Sequence, residues 1–396
     1  MVAEGLRQRL GLGLLTAYGV GIMVGAGIYV LVGVVAGQAG VWAAVSFLLA
    51  AIVVVPTALT FSELSSRIPE AAGDSSYVEI GLNQHWLAIF VGWVNIAAGT
   101  VAAAAVLRGG VGYLISVVPM PFVWAVIGLG AALTLIAIAG VLESLAFAAA
   151  LTVVEVCGLL VVSWAGFTAE PVTEWLAPPA PEWNGIIAAT IFAIFAFIGF
   201  DDIVNMAEEA RRPMRDMPRA ILLSLAITAL LYALVSLAAV RAVPRDVLAV
   251  SERPLALVWE MATGRSAAFL SLVAVAAALN GVLAQIVMAS RVLYGLGKRS
   301  PGYAVFRKTH AEFGTPVFGT IVIGVALTAA ALTLPVAVLA EFTSQALLVV
   351  FAIVNLALIG LKRKAPAGHF SVPVLVPWAG LIASLAALGA SLGGWR

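Results

Sequence analysis

The sequence is short of charge: only 10% of its 396 residues are Asp, Glu, Lys or Arg, whereas 63% are hydrophobic and the mean hydropathy is +1.10. A water-soluble domain carries about 25% charged residues, so a soluble globular protein is excluded and a polytopic membrane protein is implied. Lysine and arginine exceed aspartate and glutamate by one. That balance offers no bulk field for nucleic acid or another strongly charged partner. The single cysteine, Cys157, lies in an apolar stretch and excludes an intrachain disulfide. The three histidines, His85, His310 and His369, are far apart and make no metal site. There is no phosphate-cradling GxxxxGK[ST] segment, which leaves ATP-driven transport by this chain without support. The apolar stretches also lack a paired nucleophile and base, so the chain does not read as an enzyme and no cofactor is expected.

What is present is uninterrupted apolar length. No charge occurs from Leu10 to Ser62, room for two membrane helices of about 20 residues each. Continuing along the chain predicts eleven spans, at about 13–37, 40–62, 86–117, 122–140, 146–169, 184–207, 219–240, 266–296, 316–334, 338–361 and 373–394. No connecting segment is long enough for a soluble domain of useful size. The basic stub at the N-terminus runs into two consecutive spans without a small-residue cleavage site, so it reads as retained. With that end in the cytoplasm, fifteen Lys and Arg fall on the inner side and six on the outer side, in keeping with the positive-inside bias. An odd number of spans then places the C-terminus outside.

The first span carries Gly19, Gly21, Gly25, Gly27 and Gly33. Glycine weakens a helix by about 0.8–1 kcal/mol relative to alanine, and backbone groups freed in mid-membrane are tolerable only beside protein or an aqueous cavity. The sixth span is interrupted in the same way, by Gly199 followed by Asp201 and Asp202. Paired interruptions in two halves of a chain point to a midplane transport site, with spans one to five (13–169) and six to ten (184–361) as inverted repeats and the helix at 373–394 as an addition. The N–H groups of Gly25, Ala26, Gly27 and Ile28 would face an anion at the start of a half-helix, unless the glycines serve close helix packing. Ile198, Gly199 and nearby carbonyls would accept hydrogen bonds from an ammonium group, with Phe195, Phe197 and Phe200 close by. An anion cradle opposite a cation acceptor suits a zwitterion. Asp201 and Asp202 either line the cavity as carboxylates or open the inner half-helix.

Glu155 lies in the middle of the fifth span, where insertion scales charge at least 2.5–3.5 kcal/mol for an ionised residue. It is the candidate for proton coupling, the alternative being a neutral structural carboxyl. Glu143 reads as a helix N-terminal charge; Arg108 and Glu341 read as interfacial anchors. Glu208 and Glu209 with Arg211, Arg212 and Arg215 form either a salt-bridged inner gate or an ordinary solvated loop. Asn95, Asn280, Gln285, Ser344 and Gln345 are polar candidates for selectivity, or for bonds between helices.

Several segments together resemble the amino acid–polyamine–organocation superfamily, nearest to bacterial and archaeal amino acid permeases related to cationic amino acid transporters. They are GIMVGAGIYVLVG, ELSSRIPEAAGDSSYV, FAFIGFDDIVNMAEEARRPMRDMPRAI, LNGVLAQIVMASRVLYGLGKRSPG and FSVPVLVPW. The resemblance implies a five-plus-five inverted-repeat fold working by alternating access: a secondary active amino acid transporter of the cell membrane, proton-coupled or exchanging, as monomer or homodimer. An amine or polyamine exchanger and a non-transporting amino acid sensor are the alternatives. It also implies that Gly25 to Ile28 are the carboxylate-binding turn, that Phe195 is the aromatic gate, that the carbonyls of Phe195 and Ile198 hold the amino group, and that Glu208 and the following bases are the cytoplasmic gate. Two features depart from the pattern. Many relatives carry a lysine twelve residues after the glutamate of a VxES start, where this chain has Glu155, and twelve spans are common where eleven are found here.

Overall fold

The computed structural model describes residues 10–68, 73–139, 145–299, 301–310, 314–364 and 368–393. Among the described residues the regular elements are all helical, apart from one isolated parallel bridge between Leu10 and Ala210. The first expected span is two helices, α1 (Leu12–Ala26) and α2 (Ile28–Ala39), parted at Gly27. The second is α3 (Ala43–Arg67), followed by the short α4 (Gly73–Leu82), which lies between spans. Spans three to five are α5 (His85–Ile115), α6 (Phe122–Ala139) and α7 (Leu145–Thr168), with a single turn, α8 (Thr173–Leu176), beyond them. The sixth consists of α9 (Trp183–Ala196), an irregular stretch, and a 3₁₀ helix over Asp202–Glu209. Then come α10 (Pro213–Ala242), two short helices α11 (Arg245–Ala249) and α12 (Pro254–Thr263), and α13 (Ala268–Arg299). The chain ends with α14 (Val317–Thr333), α15 (Val336–Lys364) and α16 (Leu375–Leu392).

Among the described residues, eight helical stretches are long and apolar enough to cross a bilayer, and Leu12–Gly25, Trp183–Ala196 and Val317–Thr333 are shorter apolar helices. Two of these three are short because the span they open is broken. All eleven expected spans therefore have a helical counterpart. Their limits differ where local chemistry differs. α3 continues to Arg67, and α10 begins at Pro213, a residue suited to the first helical turn because its missing N–H would have no partner there. Arg215 and Arg219 are thus on a helix, not in a loop. The segment 241–265, read as a plain connection, folds into α11 and α12, with Leu248 and Leu255 fully buried.

Close helix approach uses small residues throughout. A Cβ on Gly33 would lie 2.5 Å from the Leu248 carbonyl oxygen, and one on Gly110 would lie 2.5 Å from the Ala278 Cβ. In lipid, where apolar burial between helices gains little, this contact is a main source of packing energy. The large exposed side chains, among them Trp124, Leu135, Trp164, Leu230 and Leu375, form an apolar exterior suited to acyl chains. Arg108 does not reach outward as an anchor. Its Nη1 donates to the Ala331 carbonyl at 2.7 Å and its guanidinium lies 4.8 Å from the Phe122 ring centre, clamping the end of α14 to α5 and α6. Glu341 accepts from the Gln345 side chain at 3.3 Å. Glu143 lies outside the described residues.

Candidate functional site

The two interruptions meet in space. A Cβ on Gly27 would stand 2.3 Å from the Ala196 Cα, and one on Gly199 would stand 2.3 Å from the Ile22 Cγ2. Gly199 has φ +117°, a conformation that side-chain-bearing residues rarely adopt. A helix break leaves carbonyls without their i+4 donors, here Met23 in α1 and Ala196 in α9. One group serves both: the Tyr232 hydroxyl of α10 lies 2.6 Å from the Met23 oxygen and 2.9 Å from the Ala196 oxygen, its single proton shared between them. The freed N–H of Gly199 donates to Asp201 Oδ1 at 3.0 Å. Asp201 therefore caps the break from within it.

Glu155 is buried on α7 beside this junction, with Tyr29 of α2 donating from its hydroxyl to the Glu155 carbonyl at 3.0 Å. Tyr113 of α5 donates in turn to the Tyr29 carbonyl at 2.7 Å, and the Leu255 N–H at the start of α12 donates to the Tyr113 hydroxyl at 3.3 Å. On the other half, the Thr152 hydroxyl donates to the Ala17 carbonyl at 3.2 Å. α7 is thus bonded to both pieces of the first span, to α1 through Thr152 and to α2 through the backbone of Glu155.

Open space lies beside the breaks, toward the side that carries Arg67, Arg211, Arg212, Arg291 and Lys362, hereafter the basic side. It is a cavity of about 340 Å³ between α4, α5, the 3₁₀ helix, α13 and α15. Four acidic side chains line it, Asp74, Asp201, Asp202 and Glu209, together with the amides of Asn95, Asn205 and Gln285. Asn95 donates to Asp74 Oδ2 at 2.7 Å and Gln285 donates to Asp202 Oδ2 at 3.2 Å. Among the described side chains expected to bind substrate, only Ile198 lines this cavity, as does Glu209 of the expected gate. Gly25 packs on α13, a Cβ there falling 3.1 Å from the Ala277 oxygen. Ile28, Phe195 and Phe200 are buried, Phe200 with its ring against Phe61 and Phe351. The Ala26 side chain lies outside the described residues. The breaks are brought together as expected, closed on one another, and the accessible volume lies beyond them.

Among the polar candidates, Asn95 and Gln285 face the cavity, whereas Gln345 bonds Glu341 and Ser391 and ties α15 to α16. Asp74 and Asn205 were not singled out from the sequence. Asp74 belongs to a connecting segment, where a charge is unremarkable until the fold buries it. Burial, then the charge of Asp201, pushes the Asp74 carboxyl up to about 8, against a smaller lowering by the Asn95 hydrogen bond. The folded state then holds a proton that an unfolded aspartate has lost, so this group's share of stability is complete below about pH 4 and disappears as pH rises through about 8. Thermal unfolding in detergent across that range should show a declining midpoint, and Asp74→Asn should flatten the decline.

At the expected gate, no ion pair among the described residues joins Glu209, Arg211 or Arg212, and the Glu208 side chain lies outside them. The segment is held instead by backbone bonds: the Leu10 N–H to the Glu209 carbonyl at 3.0 Å and the Arg211 N–H to the Leu10 carbonyl at 2.9 Å. The buried charges lie elsewhere. Glu63, at the end of α3, is fully buried and accepts from Arg67, from Lys362 Nζ at 2.7 Å, and from the Val372 N–H at 2.8 Å.

A family model described as amino acid permease matches residues 10–393. The chain belongs to the amino acid permease family. This permease is a multi-pass membrane transporter, and its relatives are spread across bacteria and plants. It is 27% identical over 362 residues to the methylthioribose transporter of Bacillus subtilis (strain 168), covering 86% of this chain and 78% of the relative. It is 26% identical over 387 residues to the branched-chain amino acid permease BcaP of the same strain, covering 92% and 83%. To the chloroplastic cationic amino acid transporter 9 of Arabidopsis thaliana it is 30% identical over 338 residues, which cover 78% of this permease and 58% of the plant protein.

Proposed function

We propose that this permease is a secondary active transporter that moves an amino acid across the cell membrane by alternating access. The observation that carries this reading is the contact of the two helix breaks, Gly27 on Ala196 and Gly199 on Ile22, next to a cavity of about 340 Å³ lined by residues from both halves of the chain. In the substrate-bound state the N–H groups of Gly25 to Ile28 hold the carboxylate, and the carbonyls of Phe195 and Ile198 hold the ammonium group, with Phe195, Gly199 and Phe200 enclosing it. Residues 13–169 and 184–361 act as inverted halves, and the basic side is cytoplasmic by the positive-inside bias. The arrangement described is then an inward-facing one. Its outer path is closed by buried Tyr29, Tyr113, Leu248 and Leu255.

Glu155 couples the movement to protons. It sits where the Tyr29 bond joins α7 to the first span, so a change in its charge acts on the broken helix directly. The test is uptake of labelled amino acids by proteoliposomes, with and without a proton gradient. At least one amino acid should accumulate, and Glu155→Gln should abolish accumulation while sparing binding. Uptake of none, in either direction, sinks the transport reading; accumulation by the variant sinks the coupling role. A second reading, amine or polyamine exchange, is favoured by the four acidic side chains of the cavity. It requires competition by amines that lack a carboxylate.

A further inference from the structure

Asp74 stands at the start of α4, outside the spans, with only 6% of its surface exposed, and faces the cavity. Its Oδ2 accepts from Asn95 Nδ2, while Asn95 Oδ1 is buried and has no donor among the described residues. A primary amide beside a carboxylic acid makes two bonds: its N–H to one acid oxygen and the acid O–H to its carbonyl oxygen. A carboxylate makes only the first. The Asp74 and Asn95 pair is therefore fully satisfied only when Asp74 carries a proton, and a buried acceptor left without a donor costs about 1–3 kcal/mol.

The surrounding charges act in the same direction. From the sixth span, Asp201, Asp202 and Glu209 face the same cavity. From α13, Arg291 lines it but is exposed to solvent. From α15, Lys362 is engaged by Glu63, and Lys364 donates to the Gly81 carbonyl at the far end of α4. From α5, His85 bonds Glu79, likewise away from Asp74. Negative charges are concentrated at the carboxyl, and the nearby cations are solvated or committed elsewhere.

We propose that Asp74 is a proton-binding site of the cavity, protonated while the cavity is empty and deprotonated when a cationic group enters it. The proposal rests on the reading of this cavity as part of the transport path, and its test does not use transport. The raised affinity described above agrees with it.

Infrared difference spectra of the purified full-length protein, recorded between about pH 6 and about pH 9, read a protonated carboxyl directly through its acid carbonyl band. The wild type should lose acid carbonyl absorbance that includes a component with a midpoint near 8. Asp74→Asn, close in shape to the native side chain, should lack that transition, and Asp74→Glu should retain it. Asp202→Asn removes a charge that raises the Asp74 affinity and should move the midpoint to lower pH. An unchanged band in Asp74→Asn overturns the proposal. So does the absence of any such transition in the wild type, a result that stands even if the variant does not fold. The proteoliposome assay is scored apart: uptake without the band leaves the transport reading in place and removes this one, and the band without uptake does the reverse.

Discussion

Glu63→Ala should destabilise this permease by about 3–5 kcal/mol, the cost of leaving buried charge uncompensated. The carboxylate is fully buried and serves three parts of the chain at once. Arg67 reaches it from one turn along α3, Lys362 from the last turn of α15, and the Ser371 hydroxyl and Val372 N–H from the segment leading to α16. Lys362 also donates to the Val372 carbonyl at 2.7 Å. Without Glu63, two cations that are each over nine-tenths buried face each other with no anion between them. By contrast the exposed pair of His85 and Glu79 is worth no more than about 1 kcal/mol, so Glu79→Ala is the matched control. Thermal unfolding in detergent of both variants, with Lys362→Met alone and combined with Glu63→Ala, separates the pair energy from packing. A loss at Glu63 no larger than that at Glu79 would show that the cluster does not hold the three elements together.

The second large effect is at the meeting of the breaks. Gly27→Ala places a methyl group 2.3 Å from a backbone atom, the Ala196 Cα, and backbone cannot swing aside as a side-chain tip can. Overpacking of this kind costs about 1–3 kcal/mol. Gly199→Ala adds conformational strain at φ +117° to its clash with Ile22, strain of about 1–3 kcal/mol for a residue with a side chain. Both variants should lower the melting point and reduce transport at least about fivefold, since about 1 kcal/mol lost at the closed junction is a factor of about five. Gly13→Ala is the control within the same broken span. Nothing lies within 4 Å of its added carbon, and the gain in helix preference, about 0.8–1 kcal/mol, makes it neutral or stabilising. If Gly27→Ala behaves like Gly13→Ala, the breaks do not need their close contact.

The stretch from Gly19 to Gly33 also shows how far the amino-acid order reaches. The freedom of its run from charge located two spans, and its glycines located the break at Gly27. Once folded, the glycines proved to serve packing and the break together: Gly21 admits Thr152, Gly25 approaches Ala277, Gly33 admits Leu248, and Gly27 admits Ala196. The sixth span was legible in the same way as far as Gly199, but its inner half is a 3₁₀ helix with Asp201 bonded back to the break. Asn95 and Gln285 were recognisable as polar residues in apolar spans. Asp74 was not, because its burial is conferred by α5 and α15 packing over α4.

The number of membrane helices, their order and the two interruptions follow from the sequence alone, because hydrophobic length and glycine content are local properties that a bilayer reads span by span. The tertiary structure decided which groups share a space. Glu63 and Lys362 are 299 residues apart in the chain and 2.7 Å apart in the fold, and Tyr232 reaches two broken helices through one hydroxyl. Those contacts depend on where helices cross and how each is rotated about its axis, which small residues and buried polar bonds settle only after the spans have come together.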